Sequence, residues 1–191
     1  MKRIAIFASG NGTNAENICK YFHKSDSIEV SLLCTNKKEA FVLNRVSPYK
    51  TPTFLFSKSE MNTTDVLENK LSELSIDLIV LAGFLLKIPE KFIKNYENKI
   101  INVHPSLLPK YGGKGMYGEN IHKAVLKNNE TETGVSFHYV NSNYDEGGII
   151  HQERCGIEEG ETLESLSDKI YSLEQRFFPK IIEKVIKKQL I

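Results

Sequence analysis

The sequence has no tryptophan, and its three cysteines, at positions 19, 34 and 155, are odd in number and widely spaced, with no CxxC pair. This spacing argues against a disulfide framework and a structural zinc site, and fits small buried thiols in a reducing compartment. Charge of one sign is scarce too: 25 Lys and Arg stand against 24 Asp and Glu. No overall field draws nucleic acid or a membrane surface, so an anionic ligand has to be held locally. No apolar run approaches the roughly 20 residues of a membrane span. The basic start, Met1 to Arg3, is followed by only six strand-like residues, Ile4 to Ser9, before Gly10, Asn11 and Gly12. A secretory leader needs a longer apolar stretch and a small-residue cleavage site, so the expected location is the cytoplasm. Repeats, low-complexity tracts and linkers are absent as well, and 191 residues with 40% hydrophobic content suit one domain, domains commonly holding roughly 100–200 residues.

What is present is an alternation. Ile4–Ala8 and Glu29–Cys34 read as short apolar strands, and Asn14–Lys24 between them places Ile18, Tyr21 and Phe22 at helical spacing. The pattern continues through a helix at Lys38–Val46, a strand near Thr53–Phe56 and a helix around Thr63–Leu74, whose Leu67, Leu71 and Leu74 share one face. Asp77–Ala82 and Lys99–Val103 read as strands buried on both sides. Gly134–Val140 is a further strand and Ile149 begins another. Thr162 opens a last helix with Leu163, Leu166, Ile170, Leu173 and Phe177 facing inward, and Pro179 is expected to kink or divide it. Such alternation implies an α/β, Rossmann-like fold: a mostly parallel sheet of about seven strands, with right-handed crossovers and helices on both faces. Ligands of such sheets sit beyond the carboxyl ends of the strands.

Three stretches carry candidate chemistry. Strand one ends in Ser9-Gly10-Asn11-Gly12-Thr13-Asn14 just before a helix, where backbone N–H groups and the positive helix end suit a phosphate. A glycine-rich turn that merely joins strand to helix is the plainer reading. A dinucleotide site needs an acidic residue about 20 positions on, at the end of strand two; that strand ends Cys34-Thr35-Asn36-Lys37-Lys38, so a mononucleotide phosphate fits better. The second stretch is Asn102 to Pro109, NVHPSLLP, where strand alternation puts Asn102 and His104 on one side. An amide donor beside an imidazole suits stabilisation of an oxyanion with proton movement near neutral pH, while a buried structural histidine is the alternative. The third is the polar turn Asn141 to Gly148, either an ordinary Asx-type turn or a mount for Asp145, whose charge near His104 would favour the imidazolium. After Pro109, KYGGKGMYG holds four glycines in nine residues; a mobile lid and a plain surface connection both suit it. None of the histidines forms a HExxH-like pair, and no metal is expected.

SGNGTN after strand one, LAGF at Leu81–Phe84, NVHPSLLPKY at Asn102–Tyr111 and DEGG at 145–148 together resemble, in order and spacing, the phosphoribosylglycinamide formyltransferases. HPSLLP by itself is shared in variant form by methionyl-tRNA formyltransferases and formyltetrahydrofolate deformylases. The former carry a basic C-terminal domain and the latter read HHSFLP, whereas this chain is close to neutral and has Pro105.

The resemblance implies the formyltransferase fold and transfer of the formyl group of 10-formyltetrahydrofolate to the amino group of glycinamide ribonucleotide, giving formylglycinamide ribonucleotide and tetrahydrofolate in purine biosynthesis. Hydrolysis of the formyl folate or another folate-dependent formyl transfer is the alternative enzyme activity, and a nucleotide-binding regulator the non-enzymatic reading. By the same resemblance residues 1–100 form a mononucleotide-binding half of a single domain over 1–191, and residues 101–191 a catalytic and folate-binding half. Asn102, His104 and Asp145 match the catalytic trio, with His138 in support. Gly12, Thr13 and Asn14 match phosphate contacts and Glu174 a ribose contact, a surface charge being the other reading of Glu174. Leu85, Leu86, Lys87 and Ile88, with Asn102, Val140, Asn141 and Tyr144, match the folate pocket, although Leu85 and Ile88 also suit ordinary core. The family often has arginine where Leu86 stands, a basic contact to the folate tail maps only loosely to Lys58, and the loop at 111–119 is longer than its counterpart. The implied partners are the two small molecules, with no nucleic acid or membrane, for a monomer or homodimer.

Overall fold

The run Lys2–Phe7 forms strand β1, and its burial explains why it does not alternate: Ile4, Ala5, Ile6 and Phe7 are all fully enclosed. Strands covered on both faces are the interior members of parallel sheets. In this computed structural model, which describes residues 1–188, the further strands are β2 (Ile28–Thr35), β3 (Thr53–Leu55), β4 (Leu78–Leu81), β5 (Ile100–His104), β6 (Glu132–Tyr139) and β7 (Ile149–Gly156). They form one seven-stranded sheet in the order β3-β2-β1-β4-β5-β6-β7. β1 pairs in parallel with β2 and β4, β2 in parallel with β3, and β6 with β7 in antiparallel fashion. The expected α/β fold with a mostly parallel sheet is therefore the observed one.

The helices are α1 (Thr13–Phe22), α2 (Val42–Val46), α3 (Lys58–Thr63), α4 (Val66–Glu73), α5 (Glu90–Asn95), α6 (Glu119–Lys127) and α7 (Leu163–Lys188). Helix α1 buries Ala15, Ile18, Cys19 and Phe22, the three- and four-residue spacing of one helical face. Three expectations are corrected. The helix expected from Lys38 starts only at Val42, where the Val42 N–H donates to the Gly10 carbonyl at 3.1 Å. The helix expected over Thr63–Leu74 is α4, beginning only at Val66 after an extended Thr64, with φ −128° and ψ 170°, and an unexpected helix α3, started by a capping box of Ser57 and Glu60, precedes it. Pro179 does not divide the last helix; α7 continues through it, with Phe178, Ile181 and Ile182 buried around the missing N–H. Helices α5 and α6 were not singled out by the sequence pattern.

The described residues fall into two compact units, Met1–Ile101 with residues 182–188, and Asn102–Ile181. In the first, Phe7 packs edge-on against Phe84 at 5.4 Å between ring centroids. In the second, Phe137 packs on Phe178 at 5.5 Å, and Ile121, Val125 and Leu166 form a buried cluster. Among the described residues no helix is long and apolar enough to cross a membrane.

Candidate active site

In the first unit the strand ends meet in a small hydrogen-bonded junction. Ser9 donates its hydroxyl to Asn36 Oδ1 at 2.6 Å, accepts from the Leu85 N–H at 3.1 Å, and its own N–H reaches the Gly83 carbonyl at 3.1 Å. The glycine-rich turn after β1 leads into α1 through Gly12, which sits at φ 80°. A Cβ there would lie 2.3 Å from Val42 Cγ2, so glycine is demanded by space as well as by backbone angle. No side chain caps α1. The N-terminus of a helix, with its partial positive charge, is the setting in which phosphate binds. Arg45 braces the turn from outside, donating to the Asn11 carbonyl at 2.9 Å and to Glu16 at 2.6 Å; no sequence motif signals this contact.

Thr13 and Asn14 thus lie in the first turn of α1, as expected, and Lys58 is the exposed first residue of α3. The segment 82–89 has no regular secondary structure. Within it Leu85 is 53% exposed and Ile88 only 5%, so the two readings of these residues divide: Leu85 is a surface group and Ile88 is core. Leu86 is half-buried and Lys87 exposed.

In the second unit, strand alternation places Asn102 and His104 as expected, and two further groups converge on them. His104 Nδ1 lies 3.6 Å from Asp145 Oδ1, and His138 Nε2 lies 3.7 Å from the same oxygen. Asn102 Nδ2 is 3.2 Å from His138 Nε2. His138 Nδ1 faces the Tyr139 carbonyl at 2.8 Å. A carbonyl only accepts, so Nδ1 carries the proton and Nε2 accepts from the Asn102 amide. Burial pushes the His138 pKa down, opposed by its bond to the Tyr139 carbonyl and by the Asp145 charge, which agrees with a neutral ring. His104 is arranged the other way round: its Nε2 faces the Tyr111 carbonyl at 2.8 Å and must donate, so its Nδ1 is the nitrogen turned toward Asp145.

Local structure explains how Asp145 gets there. The turn after β6 is an Asx turn, with Asn143 N–H donating to Asn141 Oδ1 at 3.0 Å, and it also presents Asp145, at φ 57°. Both readings of this turn hold together. A Cβ on Gly147 would lie 1.7 Å from the Tyr139 carbonyl oxygen, so only glycine lets the chain double back so closely. Asp145 Oδ2 accepts from the Gly113 N–H at 2.9 Å. The HPSLLP segment is pinned by Ser136, whose hydroxyl accepts from the Leu108 N–H at 2.9 Å and donates to the Ser106 carbonyl at 2.6 Å. Gln152 adds a bond to the Leu108 carbonyl at 2.9 Å. Val140 is half-buried and Asn141 exposed, Tyr144 is 45% exposed, and Glu174 is half-buried on α7. Tyr111 and Gly113 escaped the sequence reading because they touch His104 and Asp145 through backbone atoms, which leave no residue-type signal. Among the described residues no three His, Cys, Asp or Glu side chains are grouped as a metal site requires.

The chain has counterparts among known proteins. A family model described as formyl transferase matches residues 2–182. The phosphoribosylglycinamide formyltransferase of Bacillus subtilis is 32% identical over 191 residues, covering 97% of this chain and 95% of its own. The chloroplastic enzyme of that name from Vigna unguiculata is 31% identical over 196 residues, and the chain spans 62% of its length. Among solved structures, phosphoribosylglycinamide formyltransferase from Bacillus halodurans is 36% identical, with a TM-score of 0.86 over 98% of this chain and 97% of that one.

Proposed function

The chain belongs to the formyl transferase family, among the phosphoribosylglycinamide formyltransferases, and from that premise we propose that it moves the formyl group of 10-formyltetrahydrofolate onto the amino group of glycinamide ribonucleotide. The products are formylglycinamide ribonucleotide and tetrahydrofolate, a step of purine biosynthesis carried out in the cytoplasm. The observation that carries the reading is the meeting of His104 and His138 at one Asp145 carboxylate oxygen, with the Asn102 amide bonded to His138.

In this reading the start of α1, with Gly12, Thr13 and Asn14, holds the nucleotide's phosphate, and the resemblance assigns Glu174 to its ribose. Exposed Leu85 beside irregular backbone suits a flat heterocycle with hydrogen-bonding edges, so Leu85, Leu86 and Lys87 receive the pterin while Ile88 anchors the segment. By the same resemblance Val140, Asn141 and Tyr144 are assigned to the folate. The folate, when bound, supplies an activated formyl group. Asn102, one amide hydrogen committed to His138, turns the other toward the formyl oxygen, where negative charge develops. As the amine attacks the formyl carbon and the bond from that carbon to the folate nitrogen then breaks, His104, held by its Nε2–H, presents Nδ1–H to the same charge, and Asp145 stabilises the imidazolium and relays the amine's proton to the departing folate nitrogen. The separation of 3.6 Å exceeds a direct hydrogen bond, which leaves Nδ1 able to serve substrate and carboxylate in turn. Holding both reactants makes a bimolecular step effectively unimolecular. The partners are these two small molecules; a near-balanced charge offers nucleic acid no field.

The test mixes the protein with glycinamide ribonucleotide and 10-formyltetrahydrofolate and follows the absorbance of the released folate. Release that requires the nucleotide is expected. Formate appearing without any acceptor amine would identify a hydrolase instead, and nucleotide binding with no consumption of formyl folate a regulator.

A further inference from the structure

Tyr111 is held at both ends. Its backbone sits at φ 57°, a region that side chains other than glycine seldom occupy, so something must keep it there. The phenol hydroxyl donates to Glu130 Oε1 at 2.9 Å and accepts from Asn128 Nδ2 at 2.9 Å. Glu130 in turn receives Lys110 Nζ on both oxygens at 3.0 Å. The Lys110 ammonium and the Tyr111 hydroxyl hold Glu130 below the usual carboxylate range, so it stays an acceptor at neutral pH. Asn128 and Glu130 lie in the short turn between α6 and β6, where their N–H groups bond back to the Ala124 and Val125 carbonyls of α6. At the other end, the Tyr111 carbonyl accepts the His104 Nε2–H at 2.8 Å, and two residues on, the Gly113 N–H reaches Asp145 Oδ2.

We propose that the Tyr111 phenol, moored to Glu130 and Asn128, is a positioning residue that keeps the Tyr111 carbonyl on His104, so fixing which imidazole nitrogen faces Asp145. A carbonyl at Nε2 keeps a proton there and leaves Nδ1 for the chemistry, the second-group orientation on which histidine catalysis depends. None of Tyr111, Glu130 and Asn128 touches the reacting atoms; all act through His104. This role rests on the formyl-transfer reading above.

The experiment compares Tyr111→Phe, Glu130→Ala and Glu130→Gln. Tyr111→Phe removes one hydroxyl and is expected to lower kcat roughly 10-fold, a small misplacement of a catalytic group being enough, with KM for both substrates little changed. Glu130→Gln keeps an acceptor for the phenol and is expected to retain more of kcat than Glu130→Ala. In a His104→Ala background Tyr111→Phe is expected to have no further effect. In isotopically labelled histidine spectra, the exchange-protected Nε2 proton of His104 is expected to lose protection in Tyr111→Phe. Unchanged kcat, a rise in KM alone, a full loss repeated in the His104→Ala background, or an unaltered Nε2–H signal would overturn the proposal. The spectral readout does not depend on turnover. An inactive wild-type protein overturns the formyl-transfer reading, whereas an unaltered proton signal in an active one overturns only the positioning role.

Discussion

In the formyl-transfer reading, the start of α1 and the cluster around His104 would obtain their chemistry by opposite means. At α1 the groups proposed to work are main-chain, and Gly12 takes an angle and a closeness that no side chain permits. Around His104 the working groups are side chains from β5, β6 and the turn after β6, and the main chain supplies orientation through the carbonyls of Tyr111 and Tyr139. A binding function built from backbone depends on local shape, and a catalytic one on side chains that distant segments must deliver.

This contrast is broken or sharpened by substitution. The largest effect belongs to the cluster: His104→Ala or Asn102→Ala should lower turnover at least ~10²-fold, about 3–4 kcal/mol of barrier, while the melting temperature and the KM for the nucleotide stay near wild type. Near-wild-type turnover in either variant would remove that residue from the mechanism. Gly12→Ala comes next and should do the reverse. It sets a Cβ against Val42 at φ 80°, so a stability loss of about 1–3 kcal/mol is expected, with KM for the nucleotide raised more than kcat is lowered. Ser57→Ala is the control at a helix start whose capping box is purely structural; denaturant melts should show about 1 kcal/mol lost, with both kinetic constants untouched. If Ser57→Ala raised the nucleotide KM as Gly12→Ala does, the special status of α1 would fall.

The smallest effect is one of pH, at the start of α7. The Lys169 ammonium first, then the Ser165 hydroxyl and the Glu158 N–H, hold the Glu161 carboxyl down at about 2. An unfolded glutamate takes up its proton near pH ~4.3, so Glu161 contributes its full stabilisation above that value. The contribution shrinks as pH falls and is gone once the folded carboxyl is protonated too. The thermal midpoint should therefore fall less steeply with acidification in Glu161→Gln than in wild type across this window; identical slopes would show that Glu161 carries no such linkage.

Much of this was legible in residue order because the signals are local. Fully apolar runs such as Leu78–Leu81 announce buried parallel strands, and period-two alternation put Asn102 and His104 on one side before any pairing was known. What stayed hidden depends on contacts between distant positions. Val42 against Gly12, and the Gly10 carbonyl that sets where α2 begins, are thirty residues apart in the chain and follow no periodicity. The division of α3 from α4 turns on the Thr64 hydroxyl bonding the Glu60 carbonyl, one of several conformations that threonine could adopt. Pro179 shows tertiary burial prevailing over local propensity.

The close return of the chain at Gly147 bears on how this enzyme could be re-engineered. Since Asp145 is aimed by a backbone that has no spare room against Tyr139, residues 139–148 behave as a cartridge of fixed length. Swapping side chains at its rim, such as Asn141 or Tyr144, is the tractable route to a different formyl-donor folate. Lengthening or shortening the cartridge by one residue would misdirect the carboxylate whatever the new residues were.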